Sequence, residues 1–232
     1  MEWLSASFFL SLINIVFIDL ILAGDNAIVI GMAARRLPHN VQKKAIIYGT
    51  GGALILRIVA TLLVVWLLRI PWLLAIGGVL LLFIAYKVLA DEGSHDSIEA
   101  KDSLWAAVRT IIVADAAMGL DNVIAVAGAA GQHMILVVIG LLISVPIVVW
   151  GSTLFIKLMD HFPWIVYLGA GVLAYTAAKM ITEEPHFLPF FEDKPFLRYL
   201  LIAIAIIVIL YAGYRKKSAA AKNHKQKPRE QM

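Results

Sequence analysis

Six polar side chains lie inside otherwise apolar stretches of the sequence. They form two groups with the same order and spacing: Asp19, Asp25 and Asn26, then Asp115, Asp121 and Asn122. In each group the two aspartates are six residues apart, and an asparagine follows the second. An aspartate at the centre of a membrane helix costs about 2.5–3.5 kcal/mol on insertion scales, so four of them need a compensating partner.

These side chains offer only oxygen ligands, and the chain contains no cysteine that could supply a thiolate. Residues seven apart return to nearly the same helix face, which aligns Asp19 with Asn26 and Asp115 with Asn122. Two such clusters facing each other suit one divalent cation, and all-oxygen ligation favours magnesium, calcium or manganese over zinc or copper. The alternative is that the aspartates pair with basic groups or hydrogen-bond between helices. Gly24 and Gly119 lie beside the Asp-Asn pairs, where a helix break would free backbone carbonyls as further ligands.

The composition predicts that membrane helices position these groups. Hydrophobic residues make up 61% of the chain and charged residues 16%, whereas globular domains average about 45–50% and about 25%. Seven apolar stretches have about the length of a membrane span, which needs roughly 20 residues. They are approximately 6–32, 45–68, 72–89, 104–130, 135–158, 164–181 and 196–214. We therefore predict an all-α membrane protein with a single transmembrane domain over residues 1–214.

A second match shows that the duplication extends beyond the acidic motifs. Pro71-Trp72 precedes Lys87 by the same distance at which Pro163-Trp164 precedes Lys179. Residues of about 6–90 and about 104–182 are therefore two repeats of three spans each. With three spans per unit, the second repeat enters the membrane from the opposite side, as in many secondary transporters. The seventh helix, about 196–214, lies outside the repeat and is predicted to pack and anchor.

Basic residues predict the orientation. The first connection carries Arg35, Arg36, Lys43 and Lys44, and the tail 215–232 is also basic. Seven spans place both on one side, which the positive-inside rule makes cytoplasmic, with the amino terminus outside. The tail is predicted to be disordered. The positive charge therefore indicates the orientation of the chain in the membrane and does not indicate a nucleic-acid partner.

Three further basic residues are candidates for balancing the aspartate charge. Arg57 falls in the middle of the second span, where it either neutralises the aspartates when no cation is bound or forms a static ion pair. Lys87 and Lys179 lie near span ends, where snorkelling to the interface is the stronger interpretation. Ser144 and Pro146 predict a kink in the fifth span.

The Asp25-Asn26 and Asp121-Asn122 repeats, each with an upstream aspartate, resemble the TerC family of integral membrane proteins. Within that family the chain is similar to the compact bacterial YjbE-type members, and the family belongs with the LysE-type exporter superfamily. The resemblance covers residues 1–214 and implies a bacterial plasma-membrane metal exporter, with manganese(II) as cargo and calcium or magnesium as alternatives. It also implies that Asp19, Asp25, Asn26, Asp115, Asp121 and Asn122 form the ion site. The family's other association is with tellurite resistance.

The function that we expect is export by alternating access, with or without proton coupling. Other functions are alternatives to it. The protein is alternatively an accessory factor that supplies metal to secreted enzymes beside a protein translocase. Two intramembrane aspartates also suit an aspartic protease dyad, but that enzyme gives no role to the asparagines. A retinal receptor is excluded because 196–214 contains no lysine. We expect a transporter rather than an enzyme, without a resident cofactor, in contact with the bilayer and a divalent cation. A second copy of the chain is a further candidate partner.

Overall fold

The computed structural model describes residues 6–22, 24–67, 69–90, 100–130 and 134–226. Within helix α6 the side chains of Asp121 and Asn122 lie outside the description. The regular secondary structure of the described residues is helical throughout. The helices are α1 Ala6–Leu22, α2 Gly24–Ala34, α3 His39–Leu62, α4 Val64–Leu67, α5 Leu73–Ala90, α6 Ala100–Ala130, α7 Met134–His161, α8 Ile165–Thr182, α9 Leu188–Glu192 and α10 Pro195–Gln226.

Five of the described helices are long and apolar enough to cross a membrane: α3, α5, α7, α8 and α10. A sixth span is formed if α1 and α2, which bend by 49° at their junction, are taken together. The remaining predicted span, 104–130, corresponds to α6, a helix of 31 residues that carries the second acidic motif. The all-α membrane class is therefore observed, whereas the count of seven spans and the inverted repeat stay predictions.

The two acidic motifs differ in backbone structure. The first spans the bend of 49° between α1 and α2. The second lies within the continuous helix α6. Asp25 falls in the first turn of α2, where backbone N–H groups favour a carboxylate. The sequence left a helix break open in both copies, and among the described residues a bend accompanies the first.

The carboxyl-terminal helix is longer than predicted. Helix α10 continues to Gln226, beyond the predicted end of the span at Tyr214, and residues 227–232 lie outside the described chain. Disorder of the tail stays a prediction. Ser218 is followed by three alanines, the residue type with the highest helix propensity. The preceding span supplies the helix nucleus, so extending it costs little.

The helices of the two predicted repeats pack reciprocally. Helix α3 of the first packs on α6 of the second, while α1 and α2 of the first pack on α7 of the second. The third long helices, α5 and α8, pack on each other. This is the pattern that a pseudo-two-fold axis between two inverted repeats would generate. The first helix of each repeat is thereby held against the second helix of the other, with the buried carboxylates between them.

Glycines allow the closest of these approaches. A Cβ atom at Gly78 of α5 would lie 2.6 Å from the backbone oxygen of Ala177 on α8. A Cβ atom at Gly49 of α3 would lie 2.9 Å from the Cβ of Ile111 on α6. Small residues at helix contacts let backbones approach in membranes, where dispersion contacts and not the hydrophobic effect hold helices together.

We expect Gly78→Ala to destabilise the protein by about 1–3 kcal/mol, because backbone atoms cannot move aside for the new methyl group. Gly51→Ala is the matched control, since a Cβ atom there has no described neighbour within 4 Å. The measurement is thermal unfolding of both variants in detergent. Equal melting temperatures for the two variants would contradict the close packing of α5 on α8.

A buried carboxylate holds the beginning of α5 against the end of α8. Glu184, two residues beyond α8, is 2% exposed. Its Oε1 accepts a hydrogen bond from the backbone N–H of Trp72 at 3.1 Å, and its Oε2 accepts from those of Leu74 at 3.1 Å and Ala75 at 3.2 Å. These N–H groups have no partner within their own helix, so the side chain acts as a cap supplied by the other repeat. His186 lies 3.1 Å from Glu184 and stacks on Trp72.

The ionisation of Glu184 couples this cap to pH. Burial raises the pKa of Glu184, but hydrogen bonds from His186 and from the N–H groups of Ala75 and Trp72 outweigh it. The net pKa is below the ordinary value of 4.5. A lowered folded-state pKa means that the cap stabilises fully above the unfolded pKa and is lost as the pH falls below it.

We therefore expect the melting temperature of the wild-type protein to fall as the pH drops below about 4.5. Glu184→Gln should lower the melting temperature at neutral pH and flatten this part of the profile. Glu192→Gln, at an exposed position of the same connection, is the control. Parallel pH profiles for wild type and Glu184→Gln would show that the cap does not titrate as described.

A second contact joins the repeats at the opposite ends of their helices. The Nε of Arg35, just after α2, donates a hydrogen bond to Oδ1 of Asp160 near the end of α7 at 2.8 Å. Arg35 and Asp160 belong to connections predicted on the same side, as do Trp72 and Glu184. Both contacts therefore agree with the predicted alternation of the connections, and the assignment of one side as cytoplasmic stays a prediction.

Candidate ion site between the repeats

A buried cavity of about 30 Å³ lies between the helices of the two repeats. Its polar lining comes from five helices: Asp19 of α1, Asn26 of α2, Thr50 and Arg57 of α3, Asp115 of α6 and Ser144 of α7. Apolar side chains complete the wall, including Ile30, Leu54 and Val148. A volume of this size holds about one or two water molecules. The polar residues therefore face a small space inside an apolar bundle.

Arg57 bridges the two upstream aspartates. Its Nη1 donates to Oδ1 of Asp19 at 2.9 Å, and its Nη2 donates to Oδ1 of Asp115 at 2.5 Å. Arg57 and Asp19 belong to the first repeat and Asp115 to the second, so one guanidinium joins the two copies. Its planar fork of donors suits this double recognition, and its positive charge offsets one of the two carboxylates. With both carboxylates ionised, the three groups together carry one net negative charge.

Ser144 completes the surroundings of Asp19. Its hydroxyl donates a hydrogen bond to Oδ2 of Asp19, so both oxygens of this carboxylate have donors. Asp19 is 1% exposed, and an ionised carboxylate at that depth is stable only when it is paired and hydrogen-bonded. Helix α7 therefore contributes directly to the acidic cluster through a side chain near Pro146.

Several polar atoms of the cavity have no hydrogen-bond partner among the described residues. They are the Nδ2 and Oδ1 of Asn26, the Oγ1 of Thr50 and the Nε of Arg57. Asn26 is 3% exposed and Thr50 4% exposed. A buried polar atom left without a partner costs about 1–3 kcal/mol, so such atoms mark places where a water molecule or an ion can bind. Asn26 offers an amide oxygen of the kind that hard cations accept.

Asp25 faces away from this cavity. Its Oδ1 accepts from the backbone N–H of Asn26 at 3.0 Å, and its Oδ2 accepts from Thr176 of α8 at 3.4 Å. This agrees with the helical geometry, which places Asp25 about 100° around the helix from the shared face of Asp19 and Asn26. The six predicted ligands are therefore not one cluster: Asp19, Asn26 and Asp115 share the cavity and Asp25 does not. The side chains of Asp121 and Asn122 lie outside the described residues.

The other candidate charges lie elsewhere. Lys87 is exposed on α5, and the ammonium of Lys179 lies 3.6 Å from Glu183. Neither lines the cavity, so of the three charge-balancing candidates Arg57 alone contacts the aspartates in the described structure. Within the described residues there is no group of three or more histidine, aspartate or glutamate side chains close enough to hold a metal together.

Two cavity residues were not predicted as site residues. Thr50 was not singled out, and Ser144 was interpreted only as part of a kink. Both are polar residues in the middle of apolar spans, which is the signal that could have found them. A hydroxyl is a weaker signal than a carboxylate because serine and threonine often bond back to their own helix. Their convergence on Asp19 and Asn26 depends on how α3 and α7 pack.

Long apolar helices with a charged cluster enclosed between them define a polytopic α-helical membrane protein. Residues 4–221 match the family described as "Integral membrane protein TerC family", and the chain belongs to that family.

The comparisons with individual proteins agree with this assignment. The chain is 43% identical to the "Uncharacterized membrane protein YjbE" of Bacillus subtilis, over 89% of this chain and 94% of that protein. It is 27% identical to "Uncharacterized membrane protein YkoY" of the same organism, over 93% and 76% of the two chains. It is also 25% identical to "UPF0053 inner membrane protein YoaE" of Escherichia coli, over 91% of this chain and 44% of that protein. No solved structure matches this chain.

We expect Ser144→Ala to destabilise the protein by about 1–2 kcal/mol, because one oxygen of the buried Asp19 carboxylate loses its donor. Ser152→Ala is the matched control. Ser152 is buried on the same helix, but its hydroxyl bonds only to the backbone oxygen of Val149. Thermal unfolding in detergent measures both variants, and an equal loss for the two would show that the Ser144–Asp19 contact does not stabilise the cluster.

Proposed function

We propose that this protein exports a divalent metal cation, manganese(II) before calcium or magnesium, by alternating access. The observation that carries the proposal is the Asn26 carboxamide, which has no hydrogen-bond partner among the described residues, beside Asp19 and Asp115 in one cavity. Sites at the interface of repeats are typical of secondary transporters. Ionisable residues inside a membrane are costly and mark ion pathways more often than structural contacts.

The oxygen chemistry of the cavity supports a hard cation. Asp19 and Asp115 provide carboxylates, Asn26 an amide oxygen, and Thr50 and Ser144 hydroxyl oxygens. This donor set suits manganese, magnesium and calcium, whereas copper prefers imidazole or thiolate ligands. By the sequence motif we also assign Asp25, Asp121 and Asn122 to the pathway. Asp25 then forms a second binding position for the cation, near Thr176.

The choice of manganese and the outward direction rest on the TerC family resemblance. Protons moving inward through the same aspartates are one way to drive the cycle. No resident cofactor is needed, since the metal is the cargo. We do not propose an enzyme, because a protease dyad needs two carboxylates that share a proton. Arg57 lies between Asp19 and Asp115, which disfavours such sharing.

The proposed topology has the amino terminus outside and the carboxyl terminus in the cytoplasm of a bacterial cell. The basic residues after α2 and in α10 beyond Tyr214 support it through the positive-inside rule. A protein translocase and a second copy of the chain are proposed partners. Supply of metal to secreted enzymes would use the same ion site.

Reconstitution of the purified protein in liposomes tests the function. Loaded vesicles should release manganese(II) faster than protein-free vesicles, with calcium and magnesium compared at several pH values. Release that depends on an opposing pH gradient would support proton coupling. Absence of flux for all three cations, from protein that is folded and inserted, would refute the proposal.

We expect Asp19→Asn and Asp115→Asn to reduce manganese flux at least about 100-fold, because each removes a charged ligand from a site with few ligands. Asp25→Asn and Asp121→Asn should also abolish flux if the motif carries the pathway. Asp193→Asn, at an exposed position after α9, is the control. Thermal unfolding checks that each variant folds, and normal flux from a folded Asp19 or Asp115 variant would exclude this cavity as the site.

A further inference from the structure

The position of Arg57 raises the question of how a cation reaches the aspartates. Both oxygens of Asp19 have donors, one from Arg57 and one from Ser144, and Arg57 also holds Oδ1 of Asp115. The cavity beside them has a volume of about 30 Å³. This volume leaves room for a dehydrated cation and about one water molecule, so most of its six or more oxygen ligands must come from the protein. Binding a cation therefore requires the guanidinium to release carboxylate oxygens that it now holds.

Charge leads to the same conclusion as volume. A divalent cation between Asp19 and Asp115 would lie next to the positive guanidinium, and like charges repel strongly where little water screens them. Binding of the cation therefore requires Arg57 to withdraw from at least one carboxylate. The two positive groups compete for the same pair of oxygens.

The surroundings of Arg57 allow such a movement. Its Nε has no hydrogen-bond partner among the described residues, so no third contact fixes the guanidinium. Gly119 of α6 lies alongside, where a Cβ atom would be 3.8 Å from Nε and 3.9 Å from Oδ2 of Asp115. The absence of a side chain at Gly119 leaves room next to the guanidinium.

Arg57 also exists in only one copy of the duplication. The offset between the repeats is 96 residues at the acidic motifs (115 − 19 = 96) and 92 at the later prolines (163 − 71 = 92), which places the position that corresponds to Arg57 between Val149 and Thr153. None of the residues from 149 to 153 is charged. The site therefore has one tethered positive charge for two carboxylates, contributed by the first repeat to both.

We propose that Arg57 and the transported divalent cation are alternative partners of Asp19 and Asp115. In this scheme, which rests on the proposed function, Arg57 replaces the cation after its release. With Arg57 between the two carboxylates, the empty site carries one net negative charge instead of two. The unloaded carrier can then return to the conformation that takes up the cation. Arg57 is thus a positioning and charge-compensating residue and does not bind the cation.

Two flux assays on liposomes separate this role from a structural one. Net efflux of manganese(II) into manganese-free buffer requires the unloaded carrier to return. Exchange of labelled for unlabelled manganese, with equal concentrations on both sides, does not. For Arg57→Gln we expect net efflux to fall about 50-fold or more, the order expected when an additional uncompensated carboxylate must cross the membrane. Exchange should stay close to the wild-type rate.

Equilibrium binding gives a readout that does not depend on transport. Without the competing guanidinium, manganese(II) should bind the Arg57→Gln protein in detergent about tenfold more tightly than it binds wild type. Arg57→Lys keeps the charge and should retain net efflux, which covers the case in which Arg57→Gln does not fold. Arg109→Gln, at an exposed position of α6, is the control and should change neither assay.

The outcomes distinguish the two proposals. If wild type moves no divalent cation in either assay, the proposed function fails and this inference fails with it. If wild type transports but folded Arg57→Gln keeps its net efflux, or loses exchange and net efflux equally, the competition is refuted and the proposed function stands. Loss of net efflux from a folded Arg57→Lys protein that still exchanges manganese would also overturn the role of the charge.

Discussion

A carboxylate in the hydrocarbon layer persists only with a counter-charge or hydrogen bonds, and Asp19 and Asp115 share both through Arg57. Because Asp19 and Arg57 come from the first repeat and Asp115 from the second, this one guanidinium fixes how α1, α3 and α6 approach one another. Ser144 brings α7 into the same network. Moving any of these helices apart would leave a buried charge without a partner. The free-energy cost of that unpaired charge exceeds the stabilisation that the ion pair contributes.

The helices around this cluster pack closely enough to keep its charged side chains in contact. Helix contacts in membranes depend on close approach, and glycines on α3 and α5 provide it where the repeats meet. Away from the cluster, Glu184 at one end and Arg35 with Asp160 at the other tie one repeat to the other through polar contacts outside the spans. The apolar interior thus holds the charges in place, and these further polar contacts lie at the ends of the helices.

The two acidic motifs differ in backbone structure. The first spans the 49° bend between α1 and α2, and within α2 Asp25 faces Thr176 while Asn26 lies at the cavity. The second lies on a continuous helix. A bent pair of helices beside a continuous one provides an element that can bend without disturbing its partner.

The sequence alone determined the membrane class, most helix positions, the duplication and the family, because apolar length and repeated spacing are local properties that need no knowledge of packing. It also identified Asp19, Asn26 and Asp115 through helical periodicity, and named Arg57 as a candidate counter-charge without choosing between its roles. The separation of Asp25 from the cavity, the contributions of Thr50 and Ser144, and the helical residues 215–226 emerged only from the structure. Tertiary packing decided them because contacts between residues more than a hundred positions apart, such as Ser144 with Asp19, depend on how whole helices are placed. No spacing within one helix encodes that placement.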